Sequence, residues 1–367
     1  MSTRLRSEAR EYLLQTANDI HNNCVRSSVF TDGALLEIFD EEFTPSIGDA
    51  ELRELVKNTH RERQEEMEHL FTRLGEVYQS EDVDQMDYLG LVFTYRHMYN
   101  EAESLFRRAL ELNPDANEVL YHLGQVLMIK KSYREVAEIL GKCVELKPKF
   151  ADYRNCLGEA FLGLESCQRA MIEFDEAIKL NLYYGDAYYN KALTYILNAV
   201  KREDFKLFSE YSQKTAEMLE RAVVICPEYQ DDNFRQGKTL LENGDLREAF
   251  QKLLAAREVK KRLRFRDYSA VYLKFLLASN KIDEKTLTRR IRRLKTDISK
   301  NPHYPDLHYE LAVAYSLLGR FIHAKAIEEY KEALRLNPRF ERARKNLKLA
   351  ENEIKGFDAL ARVIIKQ

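Results

Sequence analysis

The residues of this chain that could bind a metal or act as nucleophiles are eight histidines and five cysteines. The histidines form no HExxH motif, and the cysteines form neither a CxxC pair nor a mixed Cys/His set with metal-ligand spacing. An odd number of cysteines also argues against a disulfide framework. We therefore expect reduced cysteines, no metal and no cofactor. The five cysteines are Cys24, Cys143, Cys156, Cys167 and Cys226.

Two short motifs resemble ligand sites but lack residues that those sites need. Gly237-Lys238-Thr239 copies the end of a phosphate-binding P-loop, yet Asp232 stands where that motif has glycine, and no strand is predicted before it. Asp82, Asp84 and Asp87 lack the central glycine and closing glutamate of a calcium loop, so we expect them to cap a helix. No Ser/His/Asp or Cys/His set can be assembled, and the sequence predicts that the chain is not an enzyme.

The composition indicates a soluble, mostly helical protein. Among 367 residues, 58 Lys and Arg oppose 60 Asp and Glu, and 45% are hydrophobic. The chain has only 13 glycines and 7 prolines, which are few turn-forming residues for a many-stranded sheet. No apolar run approaches the ~20 residues of a membrane span, and Met1 to Leu14 carries no signal-type apolar stretch. We expect a cytoplasmic location.

A repeat of about 34 residues runs through most of the chain. Pro114 and Pro148 are 34 residues apart, and Pro227, Pro302 and Pro338 continue this spacing with short insertions. Small residues recur on the predicted first helix of each unit, at Gly90, Gly124, Gly158, Ala192, Gly237 and Ala312. Large residues recur on the second, at Phe106, Leu140, Phe174, Leu219, Leu253 and Tyr330. Since helix axes approach closely only where side chains are short, the pattern predicts packed helix pairs.

These residues place the chain beside a known family. The first unit carries Leu89-Gly90, Phe93, Tyr99, Ala102, Phe106, Ala109 and Pro114 at successive signature positions, and the sequence resembles the tetratricopeptide repeat (TPR) family. The resemblance implies an all-α solenoid of helix-turn-helix units that form a right-handed superhelix. We count seven units: 83–116, 117–150, 151–184, 185–229, 230 to about 264, about 265–304, and 305–340. The fourth has an insertion near 201–212, and the divergent sixth, near 265–304, is assigned from spacing alone.

The flanking segments lack the repeat pattern. Residues 1–82 form an N-terminal extension of unassigned role, with helices predicted over Arg4–Ile20 and Ala50–Tyr78. Residues 341–367 contain a capping helix, Glu341–Ile354, and an apolar tail, Phe357–Ile365, that folds back or docks elsewhere.

The resemblance implies that the first helices line a concave groove for peptides. Its candidate residues are Tyr121, Gln125, Met128, Asn155, Glu159, Tyr189, Asn190, Phe234 and Tyr309. Aromatic rings offer large buried area and amides pair with peptide backbone, so we expect a protein-interaction scaffold or adaptor. The competing interpretation is that some of these tyrosines cover surface between repeats. The second position of six units is acidic, which indicates either helix capping or a preference for basic partners. These acids are Asp84, Glu118, Asp152, Asp186, Asp231 and Asp306.

One stretch of the chain is strongly basic. Residues 257–300 hold 15 Lys or Arg against five acids. The candidate patch is Lys260, Lys261, Arg262, Arg289, Arg290, Arg292 and Arg293. It offers an alternative function, binding of nucleic acid or of an acidic protein or membrane surface, or it is an ordinary solvated helix face. Self-association through the groove or the tail is a further partner hypothesis.

Overall fold

A computed structural model of the protein describes residues 1–7, 10–201, 205–264, 284–300 and 305–366. They fall into two compact units, one within residues 1–266 and one within 267–367. The strands are β1 (Ser2–Ser7), β2 (Arg10–Asp19), β3 (Cys24–Thr31) and β4 (Ala34–Glu42). The helices of the first unit are α1 (Asp49–Gln79), α2 (Val83–Tyr95), α3 (Tyr99–Leu112), α4 (Asn117–Ile129), α5 (Tyr133–Leu146), α6 (Ala151–Gly163), α7 (Cys167–Leu180), α8 (Gly185–Lys201), α9 (Phe205–Ile225), α10 (Asp232–Asn243) and α11 (Leu246–Arg264). Those of the second are α12 (Glu284–Lys300), α13 (Pro305–Leu336) and α14 (Glu341–Lys366).

The N-terminal extension begins with an antiparallel sheet in the order β1-β2-β3-β4. The helix predicted over Arg4–Ile20 is therefore wrong. Tyr12, Leu14 and Thr16 are buried at every second position of β2, which is the period of a strand rather than of a helix. Asp32 and Gly33 both have positive φ, 50° and 76°, and join β3 to β4 as a two-residue hairpin turn.

Helix α1 packs on one face of this sheet. Its bounds agree with the helix predicted over Ala50–Tyr78. The polar middle of that helix meets polar sheet residues, because the two ring nitrogens of His60 lie 2.8 Å from Thr3 Oγ1 and 2.9 Å from Thr16 Oγ1. Burial lowers the pKa of His60, an effect that the N-terminal ammonium reinforces. The extension is thus a small α/β module.

Five helix pairs follow, and they match the first five predicted repeat units. The predicted contacts of small with large residues are confirmed, since a Cβ built on Gly124, Gly158 or Gly237 would lie within 3 Å of Leu140, Phe174 or Leu253, respectively. Four of the pairs turn through a single residue with left-handed backbone. These turn residues are His97, Lys131, Glu165 and Gly244.

The insertion in the fourth pair lengthens its helices. Helix α8 has 17 residues and α9 has 21, whereas α6 and α7 have 13 and 14. Residues 202–204, between α8 and α9, lie outside the described part of the chain.

In the second compact unit, residues 305–340 differ from the predicted helix-turn-helix in shape, because α13 runs unbroken from Pro305 to Leu336. Four of the earlier pairs turn at a left-handed residue, whereas Gly319 stays helical. The small size of Gly319 lets the Phe357 ring of α14 pack closely, since a Cβ built on Gly319 would lie 3.0 Å from that ring. The capping helix and the tail form the single helix α14, and Phe357, the first residue of the tail, packs on Gly319 and His323 of α13. Of the sixth predicted unit, residues 272–277 lie outside the described part, and Leu287–Ile298 lies within α12.

Candidate functional site on the first-helix face

The first helices of the repeat pairs lie side by side in the order α2, α4, α6, α8. We call the surface that carries their predicted groove residues the first-helix face. Between the early pairs, the second helix of one pair packs on the first helix of the next, so that α3 contacts α4, α5 contacts α6 and α7 contacts α8. At the fifth pair this rule changes, because α11, a second helix, packs on α8. The change brings a basic helix onto the first-helix face.

Three polar side chains of α6 and α8 form a hydrogen-bonded cluster. Asn155 Nδ2 donates to Glu159 Oε1 at 3.0 Å. Asn190 Nδ2 donates to Glu159 Oε1 at 3.1 Å and also lies 3.0 Å from Asn155 Oδ1. All three residues are buried. Two asparagine amides thus hold one oxygen of the Glu159 carboxylate in place and leave the other oxygen to a further partner.

Helix α11 supplies that partner. Lys261 Nζ donates to Glu159 Oε2. Arg257 Nη1 donates to Asn190 Oδ1 at 3.1 Å and lies 4.0 Å from Glu159 Oε2. Residues of α6, α8 and α11, up to 102 positions apart, therefore share one ion-pair network.

A second acid, Asp186 at the start of α8, is held in the same way. Tyr229 Oη donates to Asp186 Oδ1 at 2.7 Å, and Lys260 Nζ pairs with the same oxygen. The Lys260 ammonium also lies 4.3 Å from the centre of the Tyr229 ring, within the range of a cation–π contact. Each buried acid on this face therefore faces a cation from α11.

Tyr189 forms the apolar floor between the two acids. Its hydroxyl donates to the backbone carbonyl of Leu253 in α11 at 2.8 Å. Its ring stacks on Tyr229, with centroids 3.9 Å apart and planes 9° apart, and lies 6.3 Å from the ring of Phe234. The contact between α8 and α11 thus combines a hydrogen bond from the Tyr189 hydroxyl with the ion pair of Lys260 and Asp186.

The charges on the two helices shift each other's pKa values. Burial acts against the charged form of Glu159, but Lys261 and Arg257 outweigh it, so the pKa of Glu159 is lowered. Burial likewise opposes the Arg257 cation, and Glu159 and Glu258 outweigh that effect and raise its pKa. Burial raises the pKa of Tyr189 above its usual range. Glu159 and Arg257 are therefore ionised at neutral pH, while Tyr189 keeps its proton.

The α4 part of the face is more open. Tyr121, Gln125 and Met128 are all half-buried on α4. The Tyr121 ring packs at 5.0 Å from Tyr153, which indicates that part of its surface covers the next repeat. Beside it, burial and the neighbouring acids Asp82 and Asp87 raise the pKa of Asp84. This end of the face combines accessible aromatic, amide and acidic groups.

The structure separates the predicted groove residues into four sets. Tyr121, Gln125 and Met128 are accessible, whereas Asn155, Glu159, Tyr189 and Asn190 are buried beneath α11, and Phe234 is buried on α10. Tyr309 is 57% exposed on α13, in the other compact unit. The open groove expected along α6 and α8 is therefore filled by the chain itself.

The predicted basic patch is also divided. Lys260 and Lys261 face the acids of α6 and α8, and Arg290 is buried and paired with Glu310. Arg292 is exposed on α12. The side chains of Arg262, Arg289 and Arg293 lie outside the described part of the structure. The described basic residues at 257–261 therefore form a contact within the chain rather than a solvated face.

The predicted groove does not include α11 as its occupant, although the sequence of α11 carries a signal for this contact. Leu253, Arg257, Lys260 and Lys261 follow the i, i+4, i+7, i+8 spacing of one helix face. The acids at the second repeat position have two predicted roles, helix capping and binding of basic segments. Asp231 caps its helix by accepting from the Phe234 N–H at 2.8 Å. Asp186 at the equivalent position pairs with Lys260 of α11.

Among the described residues, no group of three or more His, Cys, Asp or Glu side chains lies close enough to hold a metal ion. None of the described helices has both the length and the apolar character that crossing a membrane requires. All five cysteines are free.

Comparison with known proteins places these features in context. Two sequence models, each of the tetratricopeptide repeat, match residues 89–135 and 305–340. No curated protein sequence matches significantly. Among solved structures, MamA is 26% identical and aligns over 47% of this chain and 96% of its own, with a TM-score of 0.35. TTC0263, a TPR protein of Thermus thermophilus, is 21% identical over 52% of this chain and 100% of its own, with a TM-score of 0.38. YrrB, described as a TPR protein with an unusual peptide-binding site, is 17% identical over 53% of this chain and 94% of its own, with a TM-score of 0.36.

Proposed function

This chain is a tetratricopeptide repeat protein, and from that premise we propose that it is a protein-interaction scaffold. Its first-helix face binds a segment of a partner protein. A stack of repeats presents a long, continuous surface, which suits recognition of another protein better than chemistry on a small substrate. The part of the face on α4 receives the partner first, since its side chains are accessible.

The observation that carries this proposal is that the first-helix face already holds a helix. Helix α11 is bound there through Tyr189, Glu159 and Asp186, which supply a hydroxyl and two carboxylates. A surface that holds a helix by side-chain contacts of this quality has the chemistry to bind a partner's helix. The same observation weighs against nucleic acid, because Arg257, Lys260 and Lys261 point to acids of the chain rather than to solvent.

Photo-cross-linking from Tyr121 tests the proposal. Tyr121 is replaced by a benzophenone amino acid, the full-length protein is irradiated in native cell extract, and the products are identified by mass spectrometry. The matched control carries the same group at Tyr183, which is 82% exposed and lies in the loop between α7 and α8. We expect one defined protein adduct from position 121, resistant to nuclease and absent from position 183.

Two results would contradict the scaffold. Adducts that are the same from both positions would mean that the α4 surface has no specific partner. Adducts that disappear on nuclease treatment and fall steeply with salt would assign the face to nucleic acid instead.

A further inference from the structure

The contact between α11 and the first-helix face has the form of a ligand in a binding site. Three cations of α11 reach two acids and one amide: Lys260 pairs with Asp186, Lys261 pairs with Glu159, and Arg257 binds the Asn190 amide. The acids are each only 7% exposed. Each of the two has a dedicated cation and at least one neutral hydrogen-bond donor beside it.

The face requires a cationic occupant because of the two acids. Glu159 and Asp186 lie on adjacent first helices. Their negative charges act on the same groups, because Asp186 opposes the lowering of the Glu159 pKa and both acids raise the pKa of Tyr229. If α11 left and an apolar segment took its place, both carboxylates would be buried without a counter-charge, and breaking a buried pair in this way is strongly unfavourable. A neutral or acidic partner segment is therefore excluded from this part of the face.

The occupant must also be a helix with a specific spacing. Tyr189 Oη binds the backbone carbonyl of Leu253, while the Leu253 side chain packs against Gly237 of α10. Arg257 follows one turn later, and Lys260 and Lys261 follow one further turn on, so the three cations form one stripe of the helix. The site therefore selects a helix with cations at i, i+3 and i+4.

The position of α11 is a departure from the regular stacking of the array. In the earlier pairs the second helix packs between its own first helix and the next one, as α7 packs on α6 and α8. Helix α11 keeps its own partner α10, through Leu253 against Gly237, while also covering α8. The α10–α11 pair can therefore leave the face without losing the packing between its two helices.

We propose that α11 is an internal ligand, and that a partner protein binds the α6–α8 part of the first-helix face by inserting a basic helix that replaces α11. This inference rests on the proposed function and names its partner class. In the absence of the partner, α11 keeps the two acids paired and the α6–α8 surface closed. The partner's helix carries the cationic stripe that α11 carries.

A peptide of residues 246–264, labelled with fluorescein, is the probe for this site. Its binding is measured by fluorescence anisotropy to the full chain and to a variant with Lys260→Glu and Lys261→Glu, whose own α11 is repelled by Asp186 and Glu159. Because an internal competitor reduces the apparent affinity by the fraction of open molecules, we expect the variant to bind the peptide more tightly by about tenfold or more. Circular dichroism checks that the variant keeps its helices.

Two further variants keep the test decisive. The changes Glu159→Gln and Asp186→Asn, added to the opened variant, are expected to abolish peptide binding, as is a probe that carries glutamate at the positions of Lys260 and Lys261. If the charge-reversed chain does not fold, Lys260→Gln with Lys261→Gln opens the site without placing acids beside acids.

The inference is overturned if the opened variants bind the peptide no better than the wild type does, or if binding survives the Glu159→Gln and Asp186→Asn changes. Either result can occur while the Tyr121 cross-link persists, which would reject the internal ligand and leave the scaffold. If the Tyr121 cross-link is lost while peptide binding stays intact, the α4 surface is rejected as a partner site and the internal ligand is kept.

Discussion

Arg96, which directly follows α2, donates from both Nε and Nη2 to the same carboxylate oxygen of Glu37 in β4, at 2.9 and 2.8 Å. Arg96 is fully buried, and its Nη1 also reaches Glu66 of α1 at 3.4 Å. Burial raises the pKa of Glu37 to about 6, although Arg96 opposes this rise. One guanidinium thus joins the N-terminal sheet, its covering helix and the first repeat pair, and the α/β module is part of the same compact unit as the repeats.

Replacing Arg96 with methionine is expected to destabilise this unit strongly. The change leaves the Glu37 carboxylate, whose side chain is only 11% exposed, without the cation that binds it, while Glu66 keeps Arg63 at 2.9 Å. Breaking a buried pair in this way costs about 3 to 5 kcal/mol. The free energy of unfolding is measured by urea denaturation. The control is Arg26→Met, which removes an ion pair with Asp40 on the sheet but from a side chain that is 37% exposed, so a much smaller loss is expected. Equal losses in the two variants would contradict the role of Arg96.

Glu37 should also make stability depend on pH. Its folded pKa, about 6, lies above its ordinary value of 4.5, so the folded protein binds this proton more tightly than the unfolded chain does. The contribution to stability is full below about pH 4.5 and is lost as the pH rises through 6, a change of about 2 kcal/mol. We expect the stability of the wild type relative to Glu37→Gln to fall by this amount between about pH 4 and pH 7. A difference that stays constant with pH would show that the Glu37 pKa is not raised.

Glu159 should make stability depend on pH in the opposite direction. Its folded pKa is lowered, so the stability that it contributes is present above its ordinary value of 4.5 and is lost as the pH falls through the folded pKa. Stability curves of the wild type and Glu159→Gln should therefore lie furthest apart at neutral pH and converge in acid. Urea denaturation of both proteins from about pH 7 down to pH 3 measures this difference in stability. Curves that diverge in acid would contradict a lowered pKa of Glu159.

Two glycines of adjacent pairs provide a test of helix packing. A Cβ on Gly158 would lie 2.5 Å from the Phe174 ring, whereas a Cβ on Gly141 in α5 meets nothing within 4 Å. We expect Gly158→Ala to cost about 1 to 3 kcal/mol, since the ring must move in a packed core. Gly141→Ala should instead stabilise by about 0.5 to 1 kcal/mol, because alanine favours the helix interior. Thermal denaturation compares the two, and the same sign for both would contradict the packing.

Replacing Tyr189 is expected to destabilise the protein more than replacing Tyr121 does. Tyr189 is fully buried between α8 and α11, so Tyr189→Ala should cost about 3 to 5 kcal/mol, as for other large aromatic truncations. Tyr121→Ala, at a half-buried site, should cost markedly less. Urea denaturation of the two variants measures both values. Similar losses would mean that α11 does not cover Tyr189 in solution.

The sequence by itself determined the repeat pairs, because the signals for them are local. Gly158 and Phe174 are 16 residues apart, and a small residue followed by a large one at that spacing specifies a close helix pair wherever it recurs in the first five units. The length of α1 followed equally from its apolar spacing. The strands were predictable in principle from the alternation in β2 and the Asp32-Gly33 turn, but charged residues between the apolar ones allowed a helical interpretation of the same segment.

The tertiary structure alone decided what the first-helix face contacts. Lys261 and Glu159 are 102 residues apart, and their pairing depends on α11 packing on α8 at a point where regular stacking would place it elsewhere. A basic stripe on a helix suits solvent, nucleic acid or an acidic groove equally well, since its charge pattern is the same in each case. Which of these it meets is set by the direction in which one helix pair packs, and that direction is the sum of many weak contacts between residues distant in sequence.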